Sequence, residues 1–415
     1  MLHGIAGMSV LLLVAWFLSE NRRIIHWRLI AAGLLLQVGI ALLMLKASLF
    51  RSFFMALNQV VAALDEATRA GTAFVFGYVG GGPLPFAELK PGASFSLAFQ
   101  ALPLVLVIGA LTSLMYYWRV LPKVVQAFSW ILQKSMKIGG ALGVVASGCI
   151  FLGMIEAPLL IRPYLARMSR SELFAMMATG LSCIAGTMLV LYATVLQNVI
   201  PDALVHILTA SIIHAPAALV MAAIMVPETG EQTLGGDISS FEASSAMDAL
   251  AKGTWDGLKL LVNIVAILIV FVALVKLTNI GLEQLPHLQG APVTLERILG
   301  VLMAPVVWLI GVPWHEAATA GSLMGVKIVL NEFLAFIQFS SLPETALSLK
   351  SRLIMTYAMC SFANLGSLGI LIGGLGSLCP ERREEIVAMG GKALVAGVLA
   401  SLMTGAVVGL LQYGS

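Results

Sequence analysis

The sequence predicts an all-α polytopic membrane protein with eight transmembrane helices, two re-entrant helical hairpins, inverted repeats and interfacial helices. Three observations point there. Of 415 residues, 59% are hydrophobic and 11% charged, whereas a soluble domain carries roughly 25% charged residues. Apolar runs long enough to cross a bilayer, about 20 residues each, recur from end to end with no large polar domain between them. Two of the apolar regions are interrupted by carboxylates and prolines. Residues 1–415 therefore read as one membrane domain.

In chain order, the first apolar run, "GIAGMSVLLLVAWFLS", lacks the basic n-region and small-residue cleavage site of a signal peptide and reads as a membrane helix over 4–19. Further crossings are expected over 29–50, 94–118, 170–197, 203–226, 255–280, 350–372 and 386–412. Residues 51–69 and 121–136 are amphipathic and should lie along the membrane surface. Residues 137–168 and 293–341 are apolar but interrupted, and each reads as a re-entrant hairpin. A non-helical tip is tolerable at membrane depth only where it lines a protein cavity, because lipid cannot satisfy its backbone groups.

Loop charge orients these elements. "ENRRIIHWR", "LPKVVQAFSWILQKSMK", "IRPYLARMSR" and "PERREE" are rich in Lys and Arg and should be cytoplasmic. Eight crossings and two hairpins that return to their own side put all four inside, with the N- and C-termini outside. "QNVIPDA" and "NIGLEQLPHLQGAP" fall outside, and the acidic linker 227–252 falls inside.

Each interrupted hairpin is followed by two membrane helices, so the chain divides into scaffold helices (1–136), a first hairpin repeat (137–226), a linker with a scaffold helix (227–292) and a second, inverted hairpin repeat (293–412). The first hairpin holds "LGMIEAPLLIRPYL" and the second "GVPWHEAATAG". Inverted repeats with broken helices build midplane sites in many secondary transporters. A carboxylate at membrane depth costs about 3 kcal/mol or more, so Glu156 should face a cavity or pathway. A plainer reading makes Glu156 and Glu332 structural carboxylates at helix N-termini.

Several other chemistries lack support. His315 and Glu316 suggest a metalloprotease helix, but the position four beyond His315 is Thr319, so the H-E-x-x-H spacing fails. The four cysteines show no zinc or disulfide spacing. The net charge of +3 comes with no basic patch for nucleic acid.

The segments "GMIEAPLLIRPYL", "SRSELFAMMATGLSCIAG", "GVPWHEAATAG", "NEFLAF" and "CSFANLGSLGILIGGLGSLCPERR", with "GTAFVFG" near residue 71, occur in this order and together resemble the signature segments of the concentrative nucleoside transporter family. The resemblance covers most of the chain. It implies a bacterial inner-membrane symporter of nucleosides, assembled as a homotrimer, with membrane lipid around it, no cofactor, and a proton or sodium ion as coupling ion. It places Glu156 by the nucleobase, with Met154 and Ile155 where sodium-coupled members carry hydrogen-bonding side chains. It places Asn331 and Glu332 by the ribose, Asn364 and Ser367 on the sugar hydroxyls, and Phe362 beside the ligand. The family's sodium site falls on Cys149, Leu152, Cys183 and Ile184, where two side-chain oxygens are replaced by sulfur. Sulfur is a poor ligand for a hard cation, so protons are expected in preference to sodium. Two alternatives stand beside transport: a non-transporting nucleoside-binding sensor, and an intramembrane enzyme using Glu156 and Glu332 as an acid/base pair.

Overall fold

The computed structural model describes residues 2–46, 48–88, 94–197, 199–235, 243–287, 290 and 292–411. Among the described residues there is no strand, in line with the helix-length apolar runs of the sequence. The helices are α1 (Leu2–Phe17), α2 (Trp27–Lys46), α3 (Ser48–Phe76), α4 (Leu104–Tyr117), α5 (Val120–Met136), α6 (Gly140–Phe151), α7 (Glu156–Leu159), α8 (Arg170–Ser182) and α9 (Gly186–Leu196). They continue with α10 (Ala203–Met225), α11 (Ala246–Leu282), α12 (Leu295–Leu309), α13 (Trp314–Val329), α14 (Glu332–Ser340), α15 (Leu349–Met359), α16 (Leu365–Leu378) and α17 (Arg383–Leu411).

Six described helical stretches are long and apolar enough to cross a membrane: Trp27–Lys46, Leu97–Tyr117, Arg170–Leu196, Ala203–Met225, Ala246–Leu282 and Pro380–Leu411. The expected crossing over 4–19 appears as the shorter apolar helix Gly4–Phe17. The expected crossing over 350–372 is not continuous. It is α15 and α16 separated at residues 360–364, because Asn364 adopts an extended backbone and caps a new helix with its side chain. The stretch 170–197 is likewise broken at residues 183–185, where Cys183 and Ala185 are extended.

α10 occupies the middle of the fold, packed against α2, α8, α9, α15 and α17. It is apolar all round and buried along nearly its whole length, the signature of a helix surrounded by protein. α5 is different. Its buried residues, Leu121, Val125, Ser129, Leu132 and Met136, form a single stripe at helical spacing, which suits the surface-lying role expected for 121–136. The amphipathic segment expected over 51–69 lies within a longer helix, α3.

α11 and α4 meet through glycine. A Cβ on Gly253 would lie 2.5 Å from the Gly109 carbonyl oxygen, and one on Gly257 would lie 2.9 Å from the Leu106 Cα. The Gly253-x-x-x-Gly257 spacing lets two backbones approach as in membrane helix pairs. Beyond Ala249, Gly253 and Gly257, no residue of this 37-residue helix is fully buried, and its apolar remainder is available to lipid.

The second interrupted region holds a sharper feature than the sequence suggested. α12 and α13 are bent by 116° around residues 310–313, and a separate turn at Leu330 and Asn331 then leads into α14. The same element order thus occurs twice. An amphipathic helix (α5, α12) leads to a first hairpin arm (α6, α13), then a turn and a second arm opening on glutamate (Glu156 of α7, Glu332 of α14). A serine-capped helix follows, Ser169 before α8 and Ser348 before α15, then a break, a second half-helix, and a long helix (α10, α17). The hairpin expected over 293–341 is therefore α13 and α14. The α12–α13 corner belongs to its approach, and Glu332 stands at the hairpin's tip.

Candidate functional site

Two hairpin tips and two helix breaks supply the site. In the second hairpin, Leu330 leaves the helical conformation and Asn331 turns its side-chain oxygen onto the Leu334 amide at 2.8 Å. This caps α14 and makes Glu332 its first residue. The Glu332 side chain is buried. Its Oε1 accepts from the Tyr192 hydroxyl at 2.6 Å and its Oε2 from the Asn364 amide nitrogen at 2.7 Å. A buried charge is tolerated when donors surround it and a helix N-terminus lies behind it.

Asn364 serves two elements at once. Its Oδ1 accepts from the Ser367 amide at 2.7 Å, capping α16, while its nitrogen donates to Glu332. Ser367 is buried one turn into α16 and Phe362 is buried in the break. The structure thus brings Glu332, Asn364, Ser367 and Phe362 together around one tip and one break. The Asn331 oxygen, by contrast, is engaged as a helix cap.

Sequence reasoning missed two residues here. Tyr192 is fully buried in α9, its ring stacked on Phe333 with centroids 6.0 Å apart. Lys327 in α13 is also fully buried, and its Nζ donates to Ser361 Oγ at 2.7 Å and the Ala363 carbonyl at 2.9 Å. The lysine carried a usable signal: a lone charge inside "GSLMGVKIVL" is costly enough at membrane depth to demand partners.

The first tip is arranged differently. Residues 152–155 leave the helix, and Glu156 opens α7 with its side chain folded back over Gly153. A Cβ at position 153 would lie 2.0 Å from Glu156 Oε2, so glycine leaves the room this carboxylate occupies. The backbone amides of Ile155 and Glu156 face it. Its two neighbours are packed into protein: Met154 is buried against Gly180 of α8, and the Ile155 methyl sits where a Cβ on Gly374 of α16 would be.

The four residues expected around the coupling ion lie at the end of α6 and in the α8–α9 break. Cys149, Leu152, Cys183 and Ile184 are all buried. Ser211 of α10, which the sequence reading did not single out, joins them. Its hydroxyl lies 3.0 Å from the Ile150 carbonyl and 3.5 Å from the Ile184 carbonyl, and the Cys183 thiol donates to the Ser211 carbonyl at 3.7 Å. One turn further on, His214 is fully buried with neither ring nitrogen hydrogen-bonded. Among the described residues no group of three or more His, Cys, Asp and Glu side chains is placed to hold a metal.

His315 lies in the first turn of α13, at the α12–α13 corner and away from the hairpin tip. Its side chain is exposed, 3.5 Å from Glu316. Glu316 itself accepts from the Ser348 amide and hydroxyl at 3.2 and 3.1 Å, a structural use.

Comparison with known proteins shows which family the chain resembles. Three family models match: "Na+ dependent nucleoside transporter N-terminus" over residues 6–79, "Nucleoside recognition" over residues 98–198, and "Na+ dependent nucleoside transporter C-terminus" over residues 206–409. The chain is 38% identical over 416 residues to the uncharacterized transporter YutK of Bacillus subtilis, covering 99% of each chain. It is 34% identical over 415 residues to the nucleoside permease NupC of Helicobacter pylori, covering 99% of this chain and 97% of that one. Among solved structures, CNTnw in an inward-facing substrate-bound state superposes with a TM-score of 0.90 at 34% identity, covering 99% of this chain and 98% of that one.

Proposed function

Because this chain belongs to the concentrative nucleoside transporter family, we propose that it imports nucleosides across the bacterial cytoplasmic membrane, driven by protons in preference to sodium. Its family and its structural neighbours are transporters and not enzymes. The acid/base alternative for Glu156 and Glu332 is accordingly set aside.

The observation that carries the substrate reading is the Glu332 carboxylate held between Tyr192 and Asn364. A carboxylate offers about four lone-pair directions, and these two donors use one on each oxygen. The remainder suits a vicinal diol, whose hydroxyls would add to the arrangement without displacing it. Hydrogen bonds to a charged group contribute about 1.5–3 kcal/mol each, so a ribose is recognised strongly by its hydroxyls. Ser367 and Phe362 stand beside Asn364 and complete the sugar side.

On the base side, Glu156 supplies the polar contact. Met154 and Ile155 supply apolar packing in place of further hydrogen bonds, and the reading follows that base preference is broad. Transport proceeds by alternating access, with the two hairpin-bearing repeats moving against a scaffold of the helices in 1–136 and α11. The two repeats run 137–226 and 293–412 with opposite orientation, the termini face the periplasm, and three copies assemble.

The proton half of the reading rests on Ser211 and the cysteines. A sodium ion needs its lost hydration replaced by oxygens. The Ile150 carbonyl already accepts the single proton of the Ser211 hydroxyl at 3.0 Å, and Cys149 and Cys183 offer sulfur. Uptake of radiolabelled nucleoside into proteoliposomes, with sodium and proton gradients imposed separately, tests both halves.

A further inference from the structure

We propose that Lys327 is a positioning residue for sugar recognition: it fixes the α15–α16 break so that Asn364 meets Glu332. The inference rests on the reading of Glu332 and Asn364 as the sugar side of the site.

Lys327 is fully buried in α13. Among the described residues no carboxylate lies within the 4.0 Å that would make a salt bridge with its Nζ. Its hydrogen bonds go to Ser361 Oγ and the Ala363 carbonyl. A fully buried ammonium is costly unless hydrogen-bonded and compensated. Here it donates to the two residues that lead into Asn364, while Asn364 donates to Glu332. Arm α13, the break, Asn364, Glu332 and the hairpin tip thus form a closed ring, with Lys327 as one link and the carboxylate as another.

Removing the ammonium breaks this ring at one place. Ser361 and Ala363 lose their donor, the break can shift, and Asn364 no longer has a fixed distance to Glu332. Contacts to sugar hydroxyls should weaken while contacts to the base should not. That pattern separates positioning from general destabilisation, which would weaken both.

The test compares binding of uridine with 2′,3′-dideoxyuridine, and adenosine with its dideoxy analogue, to the purified detergent-solubilised protein by calorimetry. The parent should prefer the ribonucleosides about tenfold or more, from hydrogen bonds to a charged group. In Lys327→Met the preference should fall to within about twofold of unity, with affinity for the dideoxy analogues unchanged. Ser361→Ala, which keeps the charge and the Ala363 contact, should lower the preference in the same direction by about threefold, and it remains informative if Lys327→Met does not fold. Glu332→Gln separates the two layers. If that variant keeps the parental preference, the sugar reading itself fails. If it loses the preference while Lys327→Met and Ser361→Ala keep it, or lose both ligands in equal proportion, the role assigned to Lys327 is overturned.

Discussion

Glu332 Oε2 lies 2.7 Å from the Asn364 amide nitrogen, joining a hairpin tip to a helix break 32 residues further along the chain. Both partners are first residues or caps of their helices, so neither can move without disturbing a helix start. In Glu332→Gln one of the two donors, Tyr192 or Asn364, must face an NH2 group. Nucleoside uptake should fall about tenfold or more, while the purified protein stays monodisperse. Parental uptake by this variant would remove Glu332 from the site.

Gly153→Ala should separate function from stability at the other tip. The atoms nearest its Cβ belong to the far end of the Glu156 side chain, with Oε2 at 2.0 Å, so the carboxylate should swing away and the fold survive. Melting should stay within about 1 kcal/mol of the parent, while uptake of every nucleoside drops. Unchanged uptake would show that Glu156 does not need its place over the tip.

The opposite outcome is expected for Gly253→Ala. There the new methyl would lie 2.5 Å from a backbone carbonyl, that of Gly109, and 2.6 Å from Ser113 Oγ. Backbone cannot rotate aside, and overpacking costs about 1–3 kcal/mol. A melting curve in detergent equal to that of the parent would show that α4 and α11 do not depend on this approach.

Base preference offers an independent check. With Met154 against Gly180 and Ile155 against Gly374, the base side has Glu156 and shape to work with. Competition of radiolabelled uptake by a panel of purine and pyrimidine nucleosides should show values within about 200-fold of one another, because an apolar pocket discriminates a methylene-sized difference only about 10–200-fold, well short of the roughly 10⁴–10⁵ of a site built to hydrogen-bond. Strict selectivity for one base contradicts this.

Stability should depend on pH through the Glu20–Arg170 pair. Glu20 is held below the usual carboxylate range, chiefly by a hydrogen bond from Arg170, then by Lys392. A depressed carboxylate contributes stability above its unfolded value, about 4.3, and loses it as pH falls through the lower folded value. The cluster is partly exposed, with side-chain accessibilities of 47% and 33% for Arg170 and Glu20, so the contribution is below about 1 kcal/mol. Glu20→Gln should therefore melt slightly below the parent at pH 7, and the difference should vanish on acidification. A difference that grows toward low pH would refute the assignment.

Most of this fold was legible because membrane helices announce themselves by length and apolarity. Residues 203–226 and 29–50 match α10 and α2 within a few residues. The breaks were harder to see, since "LSCIAG" and "CSFANLG" are apolar or neutral, and periodicity does not change where a helix merely pauses. What stops the helix at residues 360–364 is Asn364 turning into a cap, and its partner Glu332 lies on another element. The second tip is hard to place from sequence for a related reason. Gly311 and Pro313 mark the α12–α13 corner more loudly than Leu330 and Asn331 mark the tip, yet only the latter carries the glutamate. Tyr192 and Ser211 were hidden because a single hydroxyl in an apolar helix has no local signature. Their roles come from residues 140 and 61 positions away.

The central claim is that this chain carries nucleosides inward on a proton gradient, and radiolabelled uridine and adenosine uptake into proteoliposomes tests it most directly. With sodium replaced by choline throughout, an inward proton gradient should drive accumulation above equilibrium. Adding an inward sodium gradient at fixed pH should change little. Strong stimulation by sodium with none from protons would contradict the coupling, and no accumulation under either gradient would contradict transport itself.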